Sequence, residues 1–199
     1  MAKVISEGIG EFYQHYPRVA CVVTAHAKEK DNAMAVAWHS VLSISPPIYG
    51  VAISTKRFTY QLIMESKEFG VNFLPYEAAE LVASVGGSTG YEIDKFQRFN
   101  IARDRSVKTA VPILTAAYAA YECQLVDDKG YGDHRLLVGE IVAVHMAKEV
   151  LTPEETLDLD KISPTMYLGG NFYCTAAKDT RRYLDREVYG KRYKEGYSV

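Results

Sequence analysis

Residues 32–59, NAMAVAWHSVLSISPPIYGVAISTKRFT, decide how this chain is read. Two apolar, β-like runs, Ala33–Ile44 and Ile48–Ile53, flank a stiff Ser45-Pro46-Pro47 turn. Proline fixes one backbone dihedral and removes a donor, so this is where a strand must end and turn back. Polar residues fall where such strands would end or be interrupted. They are Asn32, Trp38, His39 and Ser40, then Ser54, Thr55, Lys56, Arg57 and Thr59. Apolar walls, a few convergent polar groups and a cationic corner suit a flat, phosphate-bearing cofactor. The first run is long, so a bend or bulge near Trp38–Ser40 is expected, aiming backbone groups at a ligand.

Working outward, Val19–Ala25 is a β-branched run that reads as a buried strand, and Lys28–Asp31 as a charged turn. Residues 6–16 read as a short helix ended by Pro17. Thr59 precedes YQLIMES and is expected to cap a helix. Phe69–Leu74 is a further strand; Pro75 opens a helix over Tyr76–Val85 that Gly86-Gly87 stop. Ser88–Phe99 reads as a polar loop with a short helix. Ala117–Val126 and Arg135–Met146 form a hairpin with a long tip at 127–133. Leu151–Ile162 is acidic helix or loop, and Met166–Tyr173 a last strand split by two glycines. The tail from Lys178 alternates charge and tyrosine and is expected to be helical or partly mobile. About seven strands with two or three short helices fit neither a βαβ alternation nor a sandwich. The fold class is mainly β with inserted helices: a small antiparallel barrel with helices across one end.

Composition narrows the function. The 199 residues are 48% hydrophobic and 24% charged, enough for one domain with a real core. The domain is taken as 1–199, with a core near 16–175 and a tail over 176–199. Net charge is −2, so no global basic field recruits nucleic acid or anionic lipid, although Lys191, Arg192 and Lys194 cluster in the tail. No apolar run reaches the roughly 18–20 residues of a membrane span. The N-terminal residues lack an apolar signal core, so a cytoplasmic protein is expected. Three widely spaced cysteines argue for reduced, buried thiols, and the five histidines show no metal-ligand spacing. Fifteen tyrosines suit a stacking pocket or a subunit interface.

Four groupings could carry chemistry. Lys56 and Arg57 before a helix start at Thr59 make a phosphate site from a basic pair and free N–H groups, or else a solvated turn and a cap. Trp38-His39-Ser40 offers a stacking ring and hydrogen bonds, or a core tryptophan with a satisfied histidine. Gly86-Gly87-Ser88-Thr89-Gly90 follows a helix, not a strand, and so fails the context of a dinucleotide fingerprint or P-loop; it caps the helix or serves as a lid, with Asp94-Lys95-Phe96 on its far side. His134, beside Asp133 at a hairpin tip, is placed to contact a phosphate, or else Gly132-Asp133 is an everyday turn. No Ser-His-Asp or Cys-His grouping can be ordered, which leaves hydrolysis without support. Hydride transfer by a cofactor asks little of side chains.

The order NAMAVAWHS (32–40), SPP (45–47), ISTKRFT (53–59), EFGVNFLP (68–75), GGSTGYEIDKF (86–96) and GDHRLLVGEIVAV (132–144) resembles the flavin reductase-like, FMN-binding split-barrel family, from about Tyr16 to Tyr173. The resemblance implies a homodimer with FMN near the subunit interface. It implies that Trp38, His39, Ser40 and Val41 meet the isoalloxazine. Ser54, Thr55, Lys56, Arg57 and Thr59 meet the ribityl phosphate, with Asn32 opening the segment. Ser88, Thr89, Gly90 and Lys95 close over the ligand, and His134 takes a place near the nicotinamide. The implied activity passes electrons from NADH or NADPH through FMN to free flavin, ferric complexes or a partner protein. A non-enzymatic, flavoredoxin-like FMN carrier, an oxidase of a pyridoxine-like phosphate and a flavin-free interaction module are the alternatives.

Overall fold

The computed structural model describes residues 2–192 apart from 6, 9, 11 and 12. Its centre is a seven-stranded antiparallel sheet built from β2 (Cys21–Ala27), β3 (Lys30–Val36), β4 (His39–Ser43), β5 (Ile48–Ile53), β6 (Glu68–Phe73), β9 (Ala119–Tyr131) and β10 (His134–Met146). The spatial order is β3-β2-β6-β9-β10-β5-β4. β3 and β4 are separated only by Ala37 and Trp38, yet they lie at opposite edges of the sheet. Two residues cannot span a flat seven-stranded sheet, whose neighbouring strands are about 4.8 Å apart. The sheet therefore rolls up until its edges meet. Ala52 N of β5 donates to Trp38 O at 2.8 Å, which ties the two-residue link between β3 and β4 to β5. The long run Ala33–Ile44 is thus two strands with a break at Ala37-Trp38, the bend expected one residue further along.

Two smaller sheets lie outside the barrel: β1 (Arg18–Val19) with β11 (Met166–Gly169) and β12 (Phe172–Cys174), and β7 (Arg103–Asp104) with β8 (Ile113–Leu114). Helices α1 (Phe58–Ser66), α2 (Ala79–Gly87), α3 (Lys95–Arg98) and α4 (Arg186–Arg192) complete the described elements, with 3₁₀ turns at Tyr76–Ala78, Lys148–Val150 and Lys178–Thr180.

The period-two alternation of strands divides the apolar residues between two cores. On β2, Cys21, Val23 and Ala25 face the barrel interior with Val51, Ile53, Phe69, Val71, Cys123 and Leu137, and Leu62 and Ile63 of α1 pack against them. Ala20 and Val22 face outward with Ala33, under Val82 and Val85 of α2 and Phe96 of α3. β3 is covered on both faces, which is why its small residues sit between barrel and helices. Cys21 and Cys123 are fully buried free thiols, and burial raises both.

Several expectations need correction. Thr59 does not cap α1: Arg57 stands at the cap position, and Thr59 is buried inside the first turn. The hairpin tip is short. β9 continues to Tyr131, which pairs with His134, leaving a two-residue loop of Gly132 and Asp133. Gly132 has φ +63°, the first position of a tight hairpin turn that only glycine fills without strain. The helix expected from 76 begins as a 3₁₀ turn, and Gly86-Gly87 form its last turn instead of following it. Residues 151–162 are turns with one short bridge, Leu151 to Leu157. Of the helix expected at 6–16, the described residues form only turns and bends. The side chains of Lys191, Arg192 and Lys194 lie outside the described residues.

Candidate functional site

β3 forms the floor of a groove that runs between the barrel and the C-terminal end of α2. At one end is a narrow cleft of about 60 Å³, lined by Asn32, Arg57, Thr59, Ser88, Thr89, Gly90 and Lys95. Its scale is about that of two water molecules. Met34, Ala35 and Arg57 continue into a wider hollow of about 290 Å³, whose walls include Val36, Ala37, Trp38, Ser54, His134 and three tyrosines, Tyr13, Tyr16 and Tyr167.

The cleft is built for an anion. Lys95 is buried at the start of α3, where Asp94 caps the helix by accepting from Gln97 N. Its ammonium donates to Ala33 O at 2.9 Å and Val85 O at 2.7 Å. An ammonium carries three donors, so one remains. No carboxylate lines the cleft. Burial first and the Arg57 charge second push the Lys95 ammonium down to about 8. A buried cation without an anionic partner is costly, and here the cost is increased by a second cation. Arg57 sits at the N-cap of α1, where the N–H groups of the first helical turn have no intrahelical partner. Lysine, arginine and a helix start converge as a phosphate site requires.

Asn32 and Gly90 shape the rest of the cleft. Asn32 Nδ2 donates to Thr59 Oγ1 at 2.7 Å, leaving the Thr59 hydroxyl proton free to donate. The buried Asn32 Oδ1 has no partner, an acceptor that fits a hydroxyl of a sugar or polyol. A Cβ at Gly90 would come within 2.4 Å of Asn32 Oδ1 and 2.6 Å of Phe58 Cδ1, so the 88–90 loop approaches closely only because it has glycine there. These features fit a phosphate on a polyol chain.

The hollow suits a ring. Trp38 lies with its ring 4.9 Å from that of His134, and its Nε1 donates to the Tyr16 hydroxyl at 2.8 Å. Tyr16 in turn packs edge-on to Tyr167 at 5.7 Å. His134 Nδ1 and Asp133 Oδ1 are 2.9 Å apart, and that hydrogen bond holds the Asp133 carboxyl below its usual range. The bond directs the other ring nitrogen of His134 away from Asp133.

Other residues singled out in the sequence lie elsewhere. His39 turns away from the groove: Nε2 donates to Val19 O at 2.8 Å and Nδ1 accepts from the Tyr49 hydroxyl at 2.6 Å. Both nitrogens are committed, and burial lowers its pKa, which keeps the ring neutral. Ser40 and Val41 are exposed on β4 and line neither the cleft nor the hollow, and the Ser40 hydroxyl donates to Val41 O. Thr55 and Lys56 occupy the exposed turn before α1, with Lys56 near enough to Asp133 to act on its charge. The spacing in sequence did not identify Met34, Ala35, Val36, Ala37 or the tyrosines. The strand pattern held a signal for Ala35, because residues facing a ligand on a covered strand must be small. Tyr13 and Tyr16 stand near one end of the chain and Tyr167 near the other, so their spacing left none.

Comparison with known proteins follows the same lines. The family model described as "Flavin reductase like domain" matches residues 13–176. An uncharacterised protein of Pyrococcus abyssi is 38% identical over 135 residues, covering 67% of this chain and 77% of its own length. The match spans 58% of an Aeropyrum pernix relative, 32% identical. A ferric-chelate reductase (NAD(P)H) of Archaeoglobus fulgidus is 32% identical over 115 residues, 56% of this chain and 66% of its own length. Among solved structures, an FMN-binding protein from Thermus thermophilus, crystallised with bound 1-cyclohex-2-enone, superposes with TM-score 0.83 at 34% identity, covering 92% of this chain and all of that one. Flavoredoxin from Methanosarcina acetivorans superposes with TM-score 0.79 at 26% identity, covering 92% and 95%.

Proposed function

This chain belongs to the flavin reductase-like family, and we propose that it binds FMN and passes electrons from NADH or NADPH through it to free flavin, ferric complexes or a partner protein. The observation that carries the reading is Lys95: a buried ammonium beside Arg57, in a cleft without a carboxylate, opening onto a hollow of ring size. A phosphate there would balance both cations. Lys95, Arg57, the Thr59 hydroxyl and the first turn of α1 hold it, with Thr89 adding a hydroxyl donor, while the Ser88 hydroxyl is already given to Ser84 O at 2.8 Å. Asn32 Oδ1 accepts from the ribityl chain, and Met34–Ala37, Trp38 and Ser54 border the ring.

FMN when bound supplies a ring that takes up hydride and releases electrons; the protein supplies position and field. His134 orients the nicotinamide from the hairpin tip, with Asp133 fixing its tautomer. Trp38 and the tyrosines screen the ring from water. The protein acts as a homodimer in the cytoplasm, with FMN near the interface. Exposed apolar side chains along the β4 edge, Val41, Leu42 and Ile44, support the pairing, since an edge strand that presents apolar residues invites a partner. Among the described residues no helix is long and apolar enough to cross a membrane.

The test is an absorbance titration with FMN followed by anaerobic NADH or NADPH. Binding with bleaching within seconds supports the reductase. Binding without bleaching, but with rapid reduction by a partner reductase, transfers the assignment to an electron carrier of the flavoredoxin kind. Failure to bind FMN overturns the reading. In the reductase, His134→Ala slows bleaching while FMN affinity stays within about twofold, as expected for a residue outside the phosphate cleft.

A further inference from the structure

Besides the ring hollow, the phosphate cleft borders two other spaces. Through Ala35 and Gly86 it adjoins a cavity of about 510 Å³ walled by α2 and the β11–β12 hairpin, where Asn171 contributes an amide and no described lining residue is charged. Through Phe58 and Gly90 it backs onto a polar groove of about 600 Å³ that runs along the start of β3 and α3. The Phe58 ring lies 5.1 Å from that of Tyr91, so the wall between cleft and groove is one aromatic pair and a glycine. Four carboxylates, Glu29, Asp31, Glu92 and Asp94, line the groove against two cations, Lys30 and Arg103. Arg103 pairs with Asp31 and lies over the Phe96 ring, which commits its charge. Asp94 accepts from Gln97 N at 3.0 Å. Glu29 and Glu92 are exposed and form no ion pair with any described residue. The groove is thus negative, whereas the cleft behind its wall holds Lys95 and Arg57 and no carboxylate.

This reversal of sign bears on which flavin the cleft accepts. A terminal phosphate monoester carries nearly two negative charges at pH 7, matches the two cations and ends there. A phosphate linked onward to a second phosphate carries one charge, and its neighbour must leave the cleft. In the uncharged cavity that neighbour finds no cation to replace its hydration. Toward the groove it must part Phe58 from Gly90 and then meets Glu29 and Glu92. The groove's volume is in the range of small-molecule pockets, so size does not refuse a nucleoside there; charge does. We infer that this chain selects flavin mononucleotide against flavin adenine dinucleotide, and that Glu29 and Glu92 are specificity-determining residues that repel the second phosphate. The inference rests on the FMN reading and deepens it.

The experiment is calorimetry of FMN and of FAD on the full chain, in the wild type and in the double variant Glu29→Lys/Glu92→Lys. The wild type is expected to bind FAD at least about tenfold more weakly than FMN, the loss of one charge-assisted match. Reversing both charges is expected to narrow that ratio by about fivefold or more. The ratio is the readout, because new cations nearby draw both flavins. Glu29→Gln/Glu92→Gln, which removes charge without adding a cation, narrows the ratio in the same direction and stands in if the reversed variant does not fold. Both glutamates are exposed and line neither the cleft nor the hollow, so the variants leave the phosphate donors in place. A wild-type ratio below about tenfold, or a ratio that both variants preserve, overturns the inference. If FMN and FAD bind alike, the FMN reading stands and only the selection falls. If neither flavin binds, the FMN reading falls and the selection with it.

Discussion

Replacing Lys95 by methionine keeps the length of the side chain and removes its charge. In the wild type the ammonium makes two carbonyl hydrogen bonds and has one donor left for the cleft. A hydrogen bond to a charged group is worth about 1.5–3 kcal/mol, so Lys95→Met should weaken FMN roughly 10- to 150-fold. A second signature isolates the charge. Burial and Arg57 hold the unliganded Lys95 at about 8, and a bound phosphate raises that value. Binding therefore takes up a proton above pH 8: affinity is full below about 8 and is lost as pH rises through it. Between pH 7 and 9 the FMN dissociation constant should rise roughly tenfold in the wild type and stay flat in Lys95→Met. The sign reverses for the unliganded fold. Its Lys95 is depressed from 10.5 to about 8, so the unfolded chain holds the proton longer and apoprotein stability rises from pH 8 to 10.5. The assay is quenching of FMN fluorescence across pH 7 to 9, with thermal melts of the apoprotein in parallel. A flat wild-type profile, or the same slope in Lys95→Met, would refute the assignment of Lys95 to the phosphate.

Other expectations follow from single sites. Gly90→Ala forces the 88–90 loop off Asn32 and Phe58 and should weaken FMN at least tenfold with the melting temperature little changed, checked by the same titration. His39→Ala orphans Val19 O and the Tyr49 hydroxyl, and should cost about 1–3 kcal/mol in urea unfolding while leaving FMN affinity intact. Glu122 is fully buried; burial alone would raise its carboxyl, but His145, the N–H groups of Val107 and Lys108 and the Thr109 hydroxyl bring it down to about 2. Glu122→Ala leaves those donors unpaired, should cost about 3–5 kcal/mol, and should accelerate hydrogen exchange at 107–109. Stability contributed by the ionised Glu122 is present above about 4.5 and lost as pH falls toward 2, so the wild type but not the variant should show that acid component in pH-dependent melts.

Much of the site can be read in the chain because its donors are local. Arg57 is two residues from Thr59, and Ser88, Thr89, Gly90 and Lys95 fall in one loop and helix start. Basic residues at a helix N-terminus announce themselves by spacing. Trp38-His39-Ser40 misled for a physical reason. A strand alternates its side chains, so Trp38 and His39 must face opposite ways, and the break at Ala37-Trp38 decides which of them meets the groove. Likewise Thr59 looks like a cap because threonine favours that position, yet Asn32 takes its oxygen and draws it into the helix.

The sequence by itself determined the mainly β class with inserted helices, the antiparallel character, the bend near residue 38 and the cationic corner at Arg57. All of these follow from residue periodicity and turn chemistry within about a dozen positions. Only the tertiary structure decided that β3 and β4 stand at opposite edges of one rolled sheet. Only it seated Lys95 without a counter-ion beside Arg57, and gathered Tyr13, Tyr16 and Tyr167 around one hollow. Periodicity reports which face of a strand is buried, but not which strand lies beside it. Neighbours 40 to 150 residues apart are chosen by closure of the barrel and the packing of its two cores, interactions that no local pattern contains.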